Sequence, residues 1–250
     1  YAGIAVLSLV VGFWLSSIIN RAQYDYYSST DSEVILFGGL LVSFGVLVAA
    51  LLIATFLMVA NRFRTSIYGR QGYLTMTLPV DSHSLILSKL LIGTIWYLLS
   101  YIMVGISLLI IVSVVLPSTG NNWNELTDGV IQITTDMGYS APQLILSYFV
   151  GTAYSILLVY FAISLGQLFK DARLLLAVVF YFAINFVVGI IQSFLMFFAV
   201  QSNGGMDSFL YSNTFAMNSH TYSAIFFELV LAVAFYFGTH YIMTKKINLQ

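Results

Sequence analysis

Residues 44–60 read FGVLVAALLIATFLMVA, an apolar run broken only by Gly45 and Thr55. The strands of a membrane barrel alternate apolar and polar side chains over about ten residues, whereas a helix needs about 20 mostly apolar residues to cross roughly 30 Å of hydrocarbon. This stretch does not alternate. With its flanks it covers residues 34–60 and is predicted to be a membrane-spanning helix. The same reading carried outward gives five more spans, near 1–20, 86–116, 143–169, 174–200 and 222–244. At about 1.5 Å per residue the longer ones reach about 40 Å, so they tilt or extend beyond the bilayer.

Composition points the same way. The 250-residue chain is 60% hydrophobic and 8% charged, against roughly 45–50% and 25% in soluble domains. The expected class is all-α integral membrane, with six transmembrane helices in a single domain over residues 1–250. Cysteine is absent, which excludes disulfides, a thiolate nucleophile and Cys-ligated metal. A net charge of −1 gives no reason to expect a nucleic-acid partner.

The basic residues are unevenly placed. Arg62, Arg64, Arg70 and Lys89 lie around the second and third spans, Lys170 and Arg173 between the fourth and fifth, and Lys245 and Lys246 after the sixth. Only Arg21 falls on the other side, among Asp25, Asp31 and Glu33. Lys and Arg are retained on the cytoplasmic face, so both termini are expected to be cytoplasmic. The chain opens on Tyr1 without a basic flank, and a preceding cytoplasmic segment is expected rather than a signal peptide, whose apolar core would be shorter and preceded by charge.

The outer loops carry little beyond turn formers. Residues 117–142 read as a surface loop in which DGVIQITTD, residues 128–136, is able to form a short strand or helix, and residues 201–221 are similar. No repeat relates the two halves, so the inverted-repeat pattern of many secondary transporters is not supported.

Between the second and third spans lies NRFRTSIYGRQGYLTMTLPVDSHSLILSKLL, residues 61–91. Gly69 and Gly72 loosen the backbone and Pro79 cannot donate a helical hydrogen bond, so the chain turns here. Asp81 or Ser82 is suited to cap a new helix running through His83 and Lys89. The intervening YLTMTL is able to form about two helical turns showing Tyr73, Met76 and Leu78 among fixed charges. This suits a docking surface, and equally a basic connector lying on the lipid interface.

At these residues the chain resembles the permease subunits of ABC transporters of the ABC-2 type, in a branch common in Gram-positive bacteria. The matching series is Gly72, Tyr73, Leu74, Thr77, Leu78, Pro79, Val80, Ser88, Lys89, Leu90 and Leu91. The resemblance implies that the segment at about 62–85 holds a coupling helix, with Arg70, Gly72, Tyr73, Leu74, Met76, Thr77, Leu78 and Pro79 meeting a separate ATP-binding cassette ATPase. It further implies two permeases, identical or homologous, and two ATPases in a bacterial plasma membrane. Export of a peptide, antibiotic or lipid-like molecule would follow. ATP and Mg would belong to the partner, with no cofactor in this chain. The basic amphipathic segment that usually opens such permeases has no counterpart at Tyr1.

The residues agree that nucleotide would be bound elsewhere. Gly69-Arg70-Gln71-Gly72 lacks the Gly-Lys-Ser/Thr ending that meets phosphate and magnesium. No catalytic residue is expected, since the spans hold neither paired carboxylates nor a Ser/His dyad. His83, His220 and His240 are not at metal-ligand spacing, and each is expected to stand alone. Three polar residues are candidates for a translocation path: Asn185, Gln192 and Glu228. Asn185 and Gln192 are two turns apart on one face, where they line a path or bridge helices. Glu228 enters the last span shallowly, which favours a place at the outer interface or a hydrogen bond to a neighbouring Asn or Ser. Two other classes stay open: a membrane sensor or assembly protein using the same connector, and an ion-coupled carrier, which would normally have several ionisable groups at mid-membrane.

Overall fold

The computed structural model describes residues 31–69, 81–119, 123–136, 141–169, 172–202 and 215–245, together with Val10, Phe13, Trp14 and Ser17. Every element among them is a helix: α1 Asp31–Ile67, α2 Ser82–Thr119, α3 Trp123–Asp136, α4 Ala141–Gly166, α5 Arg173–Ser202 and α6 Phe215–Lys245. Five contain stretches long and apolar enough to cross a membrane: Phe44–Ile67, Ser82–Ser113, Pro142–Gly166, Arg173–Phe198 and Tyr222–Lys245. The chain is therefore helical and built for several membrane crossings. The span expected at 1–20 lies outside the described residues, apart from Val10, Phe13, Trp14 and Ser17, which are helical and exposed.

Residues 123–136, expected within a surface loop, form helix α3. Its apolar positions 123, 126, 130 and 133 recur at helical spacing, and in the structure Trp123, Val130 and Ile131 are exposed. A short helix of this kind suits a water–lipid interface.

Two compact units share the chain. The first comprises 1–57 and 95–131, the second 58–94 and 132–250. In the first, the Thr55 and Ser100 hydroxyls lie 2.8 Å apart between α1 and α2. Each is also within hydrogen-bond distance of a carbonyl of its own helix, Leu51 at 2.9 Å and Trp96 at 3.0 Å. Each hydroxyl has only one proton, so one donates to its carbonyl while the other donates across the interface. Such interhelical bonds contribute about 0.6 kcal/mol each in lipid.

The second unit is organised around α4. Its face from Ile156 to Ser164 is the most continuously buried run described, and α5 and α6 both pack on it. Gly238 of α6 makes that approach possible: a Cβ there would lie 2.6 Å from the Phe161 ring. Gly93 serves α2 similarly, since a Cβ would meet Ile156 at 3.1 Å and Val59 at 3.3 Å. Close approach at small residues is how helices associate in lipid, where apolar burial provides little drive. The outward faces are correspondingly apolar, with Phe182, Phe186 and Phe194 of α5 all exposed.

Ala172, just before α5, has φ of 53°, and its carbonyl accepts the hydrogen bond from the Leu176 N–H at 2.9 Å. The left-handed conformation costs an L-residue roughly 1–2 kcal/mol, while glycine adds roughly 0.5–1 kcal/mol of unfolded-chain entropy. Ala172→Gly is therefore expected to raise stability by roughly 0.5–1 kcal/mol, and Ala172→Val to lower it. Thermal loss of monodisperse elution in mild detergent measures both; equal behaviour of the two variants would count against the strain.

Candidate functional site

The residues named for coupling, Arg70, Gly72, Tyr73, Leu74, Met76, Thr77, Leu78 and Pro79, lie outside the described residues. What is described is how the chain enters and leaves that segment. On the entry side, α1 ends at Ile67 and is followed by Tyr68, whose hydroxyl donates to Ser164 Oγ at 2.7 Å. Ser164 passes its own proton to the Tyr160 carbonyl at 2.8 Å. Phe63, one turn earlier on α1, lies flat against the Tyr160 ring, with centroids 3.7 Å apart and planes at 8°. Offset or edge-on contact suits two ring quadrupoles better than this near-sandwich, so the packing of α1 on α4 holds the pair in place.

On the exit side, the Leu85 N–H bonds to the Asp81 carbonyl at 3.2 Å. Asp81 thus occupies the position before the first turn of α2, as expected of a cap. The Tyr160 hydroxyl donates to the Lys89 carbonyl at 3.1 Å. His83 Nδ1 and the Tyr236 hydroxyl are 2.8 Å apart, and the His83 and His240 rings stack with centroids at 3.8 Å and planes at 14°. The expectation that each histidine stands alone fails for these two. They are 157 positions apart in the chain and on different helices, so no local pattern joins them.

Both flanks of residues 70–80 are thus tied to other helices: the entry to α4, the exit to α4 and α6. These contacts join the C-terminal ends of α1, α4 and α6 to the N-terminal end of α2. Arg62, Arg64, Lys89, Arg173 and Lys245 belong to these same helix ends or to the start of α5. The charge asymmetry read in the sequence is therefore kept by the helix packing of this unit.

Tyr68 lies just past the apolar stretch of α1. Burial pushes its phenol from 10.0 up to about 12, and the Ser164 hydrogen bond opposes this only in part. The folded state therefore keeps a proton that the unfolded chain releases near pH 10. The stabilisation is complete below about pH 10 and is lost as pH rises from about 10 to about 12. Tyr68→Phe is expected to flatten that part of the alkaline denaturation profile, read by loss of helical circular dichroism between pH 9 and pH 12; the same alkaline slope in both proteins would contradict the assignment.

The path candidates are not gathered into one place. Asn185 Nδ2 donates to the Tyr181 carbonyl of its own helix at 2.9 Å. With Gly189, Ser193 and Phe197 it lines a surface concavity of about 750 Å³ on α5. Gln192 is partly exposed nearby. Glu228 instead faces α4: a Cβ on Gly151 would lie 3.5 Å from its carboxylate. Among the described residues, no group of three or more His, Cys, Asp and Glu is placed to hold a metal ion. Comparison of the chain with protein-family models, with curated proteins and with solved structures finds no match.

Proposed function

We propose that this chain is the membrane-spanning permease subunit of an ATP-driven transporter of the ABC-2 type. In this reading, residues 67–80 form the coupling segment that sits in a separate ATP-binding cassette subunit. Two permeases and two ATPases assemble in the bacterial plasma membrane, with both termini of this chain cytoplasmic. ATP and Mg are bound by the partner, and the cargo is an exported peptide, antibiotic or lipid-like molecule.

One observation carries the reading furthest. The segment that resembles the family signature is held on both flanks by side-chain contacts to α4 and α6, through Tyr68 and Ser164, Tyr160 and Lys89, and His83 and Tyr236. A push on residues 70–80 would therefore be delivered to the helices that carry Glu228 and Gly151. A simple surface connector has no need of such anchoring. An ion-coupled carrier would need further ionisable groups beside Glu228, the one acidic residue within the described membrane-spanning stretches.

The test is recovery of the partner. The chain, solubilised from its native membrane in mild detergent, is expected to bring down an ATP-binding cassette protein. A variant combining Tyr73→Ala, Met76→Ala and Leu78→Ala at equal expression is expected to lose at least about 90% of that recovery, given that a few apolar anchors dominate most interfaces. If no ATPase comes down while other membrane complexes survive, the reading is wrong.

A further inference from the structure

An apolar groove of about 380 Å³ lies in the second unit between α2, α4 and α6. Leu157 and Ala232 are buried and form its floor, while Leu87, Phe149 and Phe237 are exposed and form its walls. It follows α6 from Leu229 to Phe237, about 12 Å of helix. That is most of the ~15 Å that one leaflet contributes to the hydrocarbon core.

Among the lining residues only Tyr236 carries a polar group. Its hydroxyl meets His83 Nδ1 at 2.8 Å, at the end of the groove nearest the start of α2. His240, one turn beyond Tyr236 on α6, stacks on the same imidazole with centroids 3.8 Å apart. No other hydrogen bond reaches the ring nitrogens of these two histidines among the described residues. His83 is exposed and His240 half-buried.

The cluster sits where the apolar stretches stop: His83 is the second residue of Ser82–Ser113, and His240 is five residues short of the end of Tyr222–Lys245. Arg62, Arg64, Lys89, Arg173 and Lys245 belong to the same set of helix ends, against Asp81 alone among the described acidic residues. A groove of acyl-chain length thus ends on imidazole nitrogens without partners, in basic surroundings.

We propose that this groove and the His83–Tyr236–His240 cluster form a site for an anionic phospholipid from the leaflet on the side of these basic helix ends. One acyl chain lies along α6 and the phosphate meets the two imidazoles. With the Tyr236 hydroxyl donating to His83 Nδ1, the ring proton of His83 is on Nε2, where it is available to a phosphate oxygen. His240 supplies a second N–H, and the excess of basic residues favours an anionic headgroup over a zwitterionic one. Such a lipid joins the start of α2, just after residues 70–80, to α4 and α6. The proposal rests on the membrane-spanning helices and not on the transporter reading.

The probe is dioctanoyl phosphatidylglycerol, titrated against the purified full chain in mild detergent, with bound lipid counted by native mass spectrometry. Dioctanoyl phosphatidylcholine keeps the phosphate and the chains but has no net charge, and is expected to bind on the order of tenfold more weakly. Dioctanoylglycerol, which lacks the phosphate, and inorganic phosphate, which lacks the chains, are each expected to compete poorly. His83→Ala combined with His240→Ala is expected to weaken phosphatidylglycerol binding on the order of tenfold or more, since two hydrogen bonds to a charged group are lost. Ala153→Phe fills the groove, leaves the histidines in place, and is expected to weaken binding as well.

Equal affinity for phosphatidylglycerol and phosphatidylcholine, unchanged binding in either variant, or competition by inorganic phosphate at the concentration of the lipid would each overturn the site. The headgroup comparison is made on the parent and does not depend on any variant folding. Recovery of an ATPase, or its failure, leaves these outcomes as they are, so the site and the transporter reading fail separately.

Discussion

Tyr160→Ala is expected to lower the apparent melting temperature in mild detergent by about 10 °C, as read by loss of monodisperse elution. Tyr160 and Phe63 are each 1% exposed, and their rings stack at 3.7 Å. Truncation opens a cavity against the Phe63 ring, which keeps only its edge contact with Tyr68. Replacing a buried aromatic by alanine costs about 3–5 kcal/mol in soluble cores. In lipid the solvent-transfer part shrinks, while the lost dispersion contacts remain, so about 3 kcal/mol is expected. Tyr160→Phe keeps the stack and removes only the hydrogen bond to the Lys89 carbonyl, which contributes about 1 kcal/mol. A phenylalanine variant as unstable as the alanine variant would show that the hydrogen bond, and not the stack, holds α1 and α2 to α4.

Gly166→Ala carries the second large effect. A Cβ at position 166 would sit 2.7 Å from the Arg173 carbonyl oxygen and 2.9 Å from both the nitrogen and the Cβ of Ala177. Two of these are backbone atoms, so no rotamer change relieves them. The end of α4 and the start of α5 would have to separate. Overpacking of this kind costs about 1–3 kcal/mol and occasionally more, and the rigid obstacles place this site at the upper end. Gly105 is the control: a Cβ there meets nothing within 4 Å, and alanine suits a helix interior better than glycine by roughly 0.5–1 kcal/mol. Gly105→Ala is expected to fold at least as well as the parent. Equal losses in the two variants would mean that glycine is needed for a general reason and not for this contact.

The two glycines also show what a sequence conceals. Both lie in apolar helices and read alike in the sequence, yet one admits a methyl group and the other does not. The histidines are a similar case. His83 and His240 carry no shared spacing, and they meet because the start of α2 and the end of α6 come together in one unit. Glu228 was legible as a polar residue entering the last span, but the aim of its side chain toward Gly151 depends on the rotation of α6 about its axis. That rotation is set by contacts such as Gly238 with Phe161, which leave no periodic trace in a helix that is apolar all round.

The spans themselves were legible for the opposite reason. Residues 34–60 were expected to cross and lie within α1, Asp31–Ile67; 86–116, 143–169, 174–200 and 222–244 overlap α2, α4, α5 and α6. Helix α3 was left between strand and helix, since nine residues of mixed polarity do not separate a period of 2 from one of 3.6.

By itself the sequence determined that the chain is helical and built for several crossings, and that all its basic residues but Arg21 fall on one side of the spans. Both follow from the transfer of each segment between water and hydrocarbon, a property that a segment carries without regard to its neighbours. Only the tertiary structure decided which side chains meet: Phe63 with Tyr160, Tyr68 with Ser164, His83 with His240, and Glu228 with the open face at Gly151. In lipid every apolar face is equally at ease, so helices choose partners by close fit and a few hydrogen bonds between distant positions.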